Sequence, residues 1–197
     1  GAVIAVPFEP ALLADDRRVI TVEYSARPQE GLYFVGDPAR PATLECWSQG
    51  EREENQAWFP VHDDPGERIT SETLVTVARP YSVVSNGPLL ATIDRADGRR
   101  TFHHRMDFPH VPYLVSIAVG DWATTTDEWE GIPLTYHVPK ALAADAERSL
   151  GRTPEILAFL SRETGMKYPF PVYRQVAVTD FIYGGMENIA ATTLTAD

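Results

Sequence analysis

Apolar residues alternate with polar ones from residue 1 to about residue 122, then recur at helical spacing from about residue 140. A chain with that switch in period folds as a sheet-rich part followed by a mixed one. Val19-Ile20-Thr21-Val22-Glu23-Tyr24, Thr73-Leu74-Val75-Thr76-Val77 and Tyr113 to Val119 are rich in β-branched and aromatic residues and read as strands. Arg27-Pro28, Asp37-Pro38, Asp64-Pro65-Gly66, Asn86-Gly87 and Asp97-Gly98 supply turns between them. Asp97-Gly98, set between Leu90–Ile93 and Thr101–His103, predicts a hairpin with a type I′ turn. The opening Gly1 to Val6 reads as a strand entered abruptly, as though the chain begins inside a domain.

Lys140 to Thr164 places Leu142, Ala146 and Leu150 on one helical face, followed by Ile156, Leu157 and Leu160. Gly151 and Pro154 interrupt this run, which predicts two helices or one kinked helix, with Thr153 as N-cap and Gly165 closing the second piece. Tyr173–Val178 and Ala191–Leu194 read as strands. The expected fold is mainly β: residues 1–122 form the later part of a β-saddle or sandwich domain, incomplete in front, and residues 123–197 open an α+β domain.

Composition narrows the function. With 197 residues and 44% apolar content the chain can bury a sizeable core. Its formal net charge is −11, and no run of Lys or Arg exceeds a pair. A nucleic-acid or anionic-membrane partner is not expected on such a surface. The longest apolar stretches, such as Tyr113–Gly120, are too short to span a bilayer, and the first residues lack the basic flank of a signal peptide. The single cysteine, Cys46, can form no internal disulfide, which favours a cytoplasmic setting. Cys46 lies in an apparent strand and reads as core rather than nucleophile. There is no Gly-x-Ser-x-Gly elbow, no phosphate-binding glycine loop and no Cys-x-x-Cys. The five histidines, His62, His103, His104, His110 and His137, contain no His-x-x-x-His pair. His103 and His104 point to opposite faces of a strand, and His104 reads as a surface residue.

Gly184-Gly185-Met186-Glu187-Asn188 carries the chemistry. Two glycines permit close approach of another backbone, an exposed strand edge can pair with an extended peptide, and Glu187 sets a carboxylate beside it. This pentapeptide resembles the Gly-x-Met-Glu-Asn exopeptidase motif of the M1 family of zinc aminopeptidases. The likeness extends backwards. Ser48-Gln49-Gly50-Glu51, with Phe59-Pro60 and Asp64-Pro65 behind it, is similar to the family's (Ser/Thr)-Gln-x-Glu stretch and its sequel, although Val61 stands where the family often has cysteine. Glu72–Val77, Ser85-Asn86-Gly87, Val119-Gly120-Asp121 and Lys167-Tyr168-Pro169-Phe170-Pro171 follow in the family's order.

The resemblance implies an N-terminal β-domain leading into a thermolysin-like catalytic domain. It implies that Glu51 and Glu187 bind the α-ammonium of a peptide between them. Gln49 and Met186 would line the first side-chain pocket, while Gly184, Gly185 and Asn188 complete the substrate contacts. The partners it implies are a peptide with a free N-terminus and the remainder of the same polypeptide. Zinc, the family's cofactor, would be held by a His-Glu-x-x-His motif that follows the exopeptidase motif in the family and is absent from this chain. No catalytic residue and no metal ligand is therefore expected in it. Two alternatives remain: a non-catalytic M1-like scaffold, and a bifunctional aminopeptidase and epoxide hydrolase. The chain by itself should hold no stoichiometric zinc and release no product from an aminoacyl reporter. Elemental analysis and a chelator-sensitive turnover assay check this, and one tightly held zinc per chain would contradict it.

Overall fold

The structure, a computed structural model, describes residues 4–196. It is mainly β, as the alternation predicts. A four-stranded antiparallel sheet has the order β1-β2-β7-β4, formed by β1 (Leu32–Val35), β2 (Glu45–Ser48), β4 (Ser82–Ser85) and β7 (Ile117–Gly120). A three-stranded antiparallel sheet has the order β3-β6-β5, formed by β3 (Ile69–Val77), β5 (Leu89–Asp94) and β6 (Arg100–His110). The third sheet runs β11-β12-β10-β9-β8, formed by β8 (Trp122–Trp129), β9 (Ile132–Pro139), β10 (Tyr173–Val178), β11 (Gly185–Met186) and β12 (Ala191–Thr195). Its centre is parallel, β9 and β12 both running with β10, and its outer strands are antiparallel.

The parallel step from β9 to β10 needs a crossover, which α1 (Ala146–Leu150) and α2 (Thr153–Thr164) provide. Ala146, Leu150 and Leu157 pack on Trp129, Leu134, Tyr136, Val138 and Ala177. On the opposite face Trp122, Val176, Val178 and Ala191 meet Trp47, Val84 and Ala118 of the first sheet. β10 is thus covered on both sides, which explains its unbroken apolar end Val176-Ala177-Val178.

Several local expectations change. Residues 1–3 of the predicted opening strand lie outside the described residues, and residues 4–6 form no strand. Val19–Tyr24 is no strand either: Val19 is 95% exposed, and no neighbouring strand pairs with the segment among the described residues. Alternation gives such a segment an apolar face, but only a partner makes it a strand. Tyr113–Val119 is strand only from Ile117, because Pro112–Leu114 forms a 3₁₀ turn. There the backbone is satisfied by side chains: Asn55 Nδ2 donates to the Pro112 and Val115 carbonyls, and Asn86 takes the Leu114 carbonyl and the Ser116 amide.

The β5–β6 hairpin forms where expected, but not with a type I′ turn. Gly98 N donates to Arg95 O and Arg95 N to Arg99 O, closing a three-residue loop in which Gly98 has positive φ and Asp97 does not. Thr153 is not the N-cap. It is the first residue of α2, and its hydroxyl donates back to Leu150 O. Ile156 and Leu160 are half-exposed, leaving Leu157 as the apolar anchor of that helix.

His104 is the largest departure. It is 1% exposed, not a surface residue, because its face of β6 also carries the buried Phe102 and Met106. Beside it Arg174 of β10 reaches across to the carbonyls of Ser85 and Gly87, joining the third sheet to the β4–β5 turn. Burial is the main cause, and the Arg174 guanidinium the next, that holds the imidazoles of His104 at about 3 and His137 at about 4. Folded, both stay neutral, whereas the unfolded chain takes a proton on each below about 6.5. Stability contributed by these histidines is therefore complete above pH 6.5 and is lost as pH falls from there towards 4. The loss approaches about 1.4 kcal/mol per pH unit for each histidine. Urea unfolding at pH 7.0, 5.5 and 4.5 checks this, and His104→Gln should remove its own part of a slope to which His110, also lowered by burial, contributes as well.

Candidate functional site

The site is built outward from the inner face of β2. Strand alternation puts Glu45 and Trp47 on one face and Cys46 on the other. Both inward residues grip the backbone of one residue, Thr179, in the turn after β10. The Thr179 amide donates to Glu45 Oε2 at 2.8 Å, and the Trp47 indole N–H donates to the Thr179 carbonyl at 3.1 Å. Trp47 stacks on Tyr33 with ring centroids 4.7 Å apart and meets the edge of Phe181 at 5.1 Å. Phe181 in turn contacts Tyr183 at 5.5 Å, and Met186 belongs to the same buried cluster.

At its end β2 runs into a tight place. Gly50 admits no side chain, since a Cβ there would lie 2.3 Å from the Tyr113 carbonyl and against the Asn55 amide. Gln49 N donates to Gly31 O at 3.0 Å, extending the β1–β2 ladder by one residue. The Gln49 side chain is 2% exposed, and its Oε1 has no partner among the described residues. Glu51 then stands exposed in the turn that leads to the 3₁₀ helix Asn55–Ala57. Glu54, not Glu51, is bound back to β1, accepting from Gly31 N and from the Tyr33 hydroxyl.

The second half of the site is the chain from Gly184 to Asn188. Gly184 has φ +77°, which lets the turn swing into the short strand β11, and its own amide donates to Phe181 O. β11 is an edge strand. It pairs with β12 through Gly185↔Leu194 and Met186↔Thr193. Met186 is buried, Glu187 is exposed, and Asn188 is buried with Nδ2 on Thr193 Oγ1 at 3.0 Å and Oδ1 unpartnered among the described residues. Asn86 locks this piece to the first sheet: its Nδ2 reaches both Leu114 O and Ile189 O at 2.9 Å, and its Oδ1 accepts from Ser116 N at 2.7 Å.

Trp47 and Met186 therefore lie in one core, and the segments carrying Gln49 and Glu51 on one side, Gly184 to Asn188 on the other, leave from it. No hydrogen bond or ion pair engages Glu51 or Glu187 among the described residues. The arrangement presents a strand edge, two uncommitted carboxylates and two buried amide oxygens. It is suited to an extended peptide with a cationic end.

Among the described residues no three His, Cys, Asp or Glu side chains converge to hold a metal, so the residues present do not fit a zinc site. Cys46 is half-buried, on the wall of an apolar cavity of about 280 Å³ with Phe34, Leu44 and Val119, and burial pushes its thiol up to about 12. That does not suit a nucleophile, but Cys46 is not the core residue the sequence suggested: it faces away from the Trp47 cluster. Sequence reasoning gave no role to Glu45 or Asn55, and read Asn86 as part of a turn and not as an anchor for distant backbone. Their partners lie 134, 57 and 103 residues away, so no local pattern marks them.

Comparison with known proteins points to the family that the motifs resemble. Residues 148–197 match the family model described as the Peptidase family M1 domain. Aminopeptidase N of Acetobacter pasteurianus is 26% identical over 190 residues, covering 91% of this chain and 52% of that protein. Glutamyl aminopeptidase of Bos taurus is 30% identical over 133 residues, 66% of this chain and 14% of that protein. Transcription initiation factor TFIID subunit 2 of Danio rerio is 27% identical over 186 residues, 90% of this chain and 15% of that protein. The chain thus spans about half of the length of the first of these relatives and about a seventh of the other two. It is related to the M1 peptidases, as its motifs imply.

Asn86→Ala should destabilise the fold by about 3 kcal/mol, because it strands two carbonyls and an amide in the interior. Denaturant titration checks this, and a loss below about 1 kcal/mol would mean that water replaces the side chain.

Proposed function

We propose, from this kinship with the M1 peptidases, that the chain is the part of a zinc aminopeptidase that recognises the peptide's N-terminus. One observation carries the reading. An open edge strand of two residues, Gly185–Met186, is followed at once by the exposed, unpaired carboxylate of Glu187, and both are rooted in the core beneath Gln49.

The chemistry follows from charge. A peptide's α-amine titrates near 7.7–8.0 and is largely cationic at neutral pH. Glu187 and Glu51 accept its N–H groups in charge-assisted hydrogen bonds, about twice as strong as neutral ones. The β11 edge pairs with the peptide main chain and so fixes how far the peptide enters. An internal peptide bond brings no cation, leaving the carboxylates desolvated and unmatched at a cost of about 2–5 kcal/mol. In the family's chemistry zinc polarises the scissile carbonyl and activates water. On this reading its ligands belong to residues outside this chain.

A second reading, a non-catalytic scaffold, is favoured by the likeness to TFIID subunit 2. A scaffold has no need to distinguish a free from a blocked N-terminus, which separates the two.

The test is Glu187→Gln in the whole protein, assayed on free and N-acetylated peptides. The substitution keeps the shape and removes one negative charge. The specificity constant for free-amine substrates should fall, roughly ten- to a hundred-fold for one charged hydrogen bond. That for acetylated peptides should stay almost unchanged. Adding Glu51→Gln should lower discrimination further but less than additively, since both carboxylates address one charge. Equal losses on both substrates would give Glu187 a supporting role and overturn the assignment.

A further inference from the structure

The grip on Thr179 has a consequence for the candidate site. Thr179 opens the turn that delivers Gly184, and it is held at both its backbone groups by side chains of β2. Those side chains come from the inward face of the strand that runs on to Gln49 and Glu51. Phe181 is held by Trp47, and Tyr183 lies against the Tyr33 hydroxyl, so residues 179, 181 and 183 are all fastened to β1 and β2. Between them Ile182 is 86% exposed and packs on nothing that would fix the turn from outside. β11, beyond the turn, pairs on one edge only. Its position relative to Gln49 depends on what the turn is fastened to.

We propose that Glu45 and Trp47 are positioning residues, which latch the Thr179–Tyr183 turn to β2 and so hold the Gly184–Glu187 edge in place beside Gln49 and Glu51. The proposal rests on the amine-binding reading for its functional consequence, not for its structural content. Glu45 is the titrating member. Burial raises its carboxyl above the usual range, Asp180 pushes the same way, and the Thr179 amide opposes them. From β8 the Trp122 indole N–H also favours the charged form, though it stands outside hydrogen-bonding geometry. Ionised, Glu45 makes a charge-assisted bond to Thr179. Because burial raises this carboxyl in the latched state relative to a solvated one, proton uptake favours the latched state, and the latch does not weaken as pH falls towards the ordinary carboxylate range.

Amide hydrogen exchange of this chain decides the structural part, and tetra-alanine binding, with N-acetyl-tetra-alanine as control, decides the functional part. The variants are Glu45→Gln, which keeps an acceptor, Glu45→Ala, which removes it, and Trp47→Phe, which keeps the ring and removes the N–H. In Glu45→Ala the amides of Thr179, Gly184 and Thr195 should exchange roughly ten- to a hundred-fold faster, the worth of one charged hydrogen bond. The β8–β9 ladder should keep its protection, Glu45→Gln should restore most of the loss, and Trp47→Phe should lose less than Glu45→Ala. Wild-type protection of these amides relative to β8–β9 should hold or rise as pH falls from neutrality towards the ordinary carboxylate range, while that of Glu45→Gln stays flat. Tetra-alanine affinity should fall with the protection. Unchanged exchange at Thr179 and Gly184, or a uniform loss that includes β8–β9, would overturn the latch. Failure of the wild type to prefer tetra-alanine over its acetylated form would overturn the amine-binding reading and leave the exchange result to decide the latch.

Discussion

The indole of Trp47 sits face-on to Tyr33 and edge-on to Phe181, with its N–H on the Thr179 carbonyl. It is 3% exposed and lies where the first sheet meets the third. Burying a tryptophan removes on the order of 200 Å² of surface from water. At about 25 cal/mol per Å² that contributes about 5 kcal/mol, a large share of a domain's net stability. Val84, Ala118, Trp122, Val176, Val178 and Met186 complete the cluster around it. The two segments proposed to bind substrate are offshoots of this contact: β2 leaves it towards Gln49, and β11 leaves it through Met186.

Around that core the backbone is irregular, and side-chain amides do the work that a ladder would do elsewhere. Asn55 and Asn86, both buried, take up the carbonyls and the amide of the 112–116 passage. Asn86 also caps Ile189 and thereby joins the piece after Glu187 to the first sheet. A binding edge is left open without being left loose. Among the described residues six buried side-chain polar atoms stay unpaired, and two of them, Gln49 Oε1 and Asn188 Oδ1, belong to the candidate site. Buried acceptors without partners cost stability unless a ligand satisfies them.

Much of the fold was legible. Thr73–Val77, Leu90–Ile93, Tyr173–Val178 and Ala191–Leu194 all fall in strands, and the helical run divides at Gly151 as its glycine and proline foretold. The failures share a cause. Val19–Tyr24 has strand chemistry and no partner, and Tyr113 turns where asparagines from distant positions capture its neighbours' carbonyls. His104 is buried because its face of β6, shared with Met106, is covered by Leu114, Phe170 and Ile189 from farther along the chain. Each depends on a contact that local periodicity does not contain. The motif residues Gln49, Glu51 and Gly184 to Asn188 were legible because their types and order carry the resemblance. The holding roles of Glu45 and Asn86 were not, because Glu45 looks like any strand-edge carboxylate and Asn86, legible as a turn residue, reaches a partner 103 residues away.

The central claim is that the end of β2 and the Gly184–Asn188 edge form one site for a peptide's free N-terminus. Isotope-labelled chain titrated with tetra-alanine tests it most directly. The side-chain amide of Gln49 and the backbone amides of Gly185 and Glu187 should shift together, with one saturation curve, and should not respond to the N-acetylated peptide. Shifts confined to one of the two segments, or the same response to both peptides, would contradict the account.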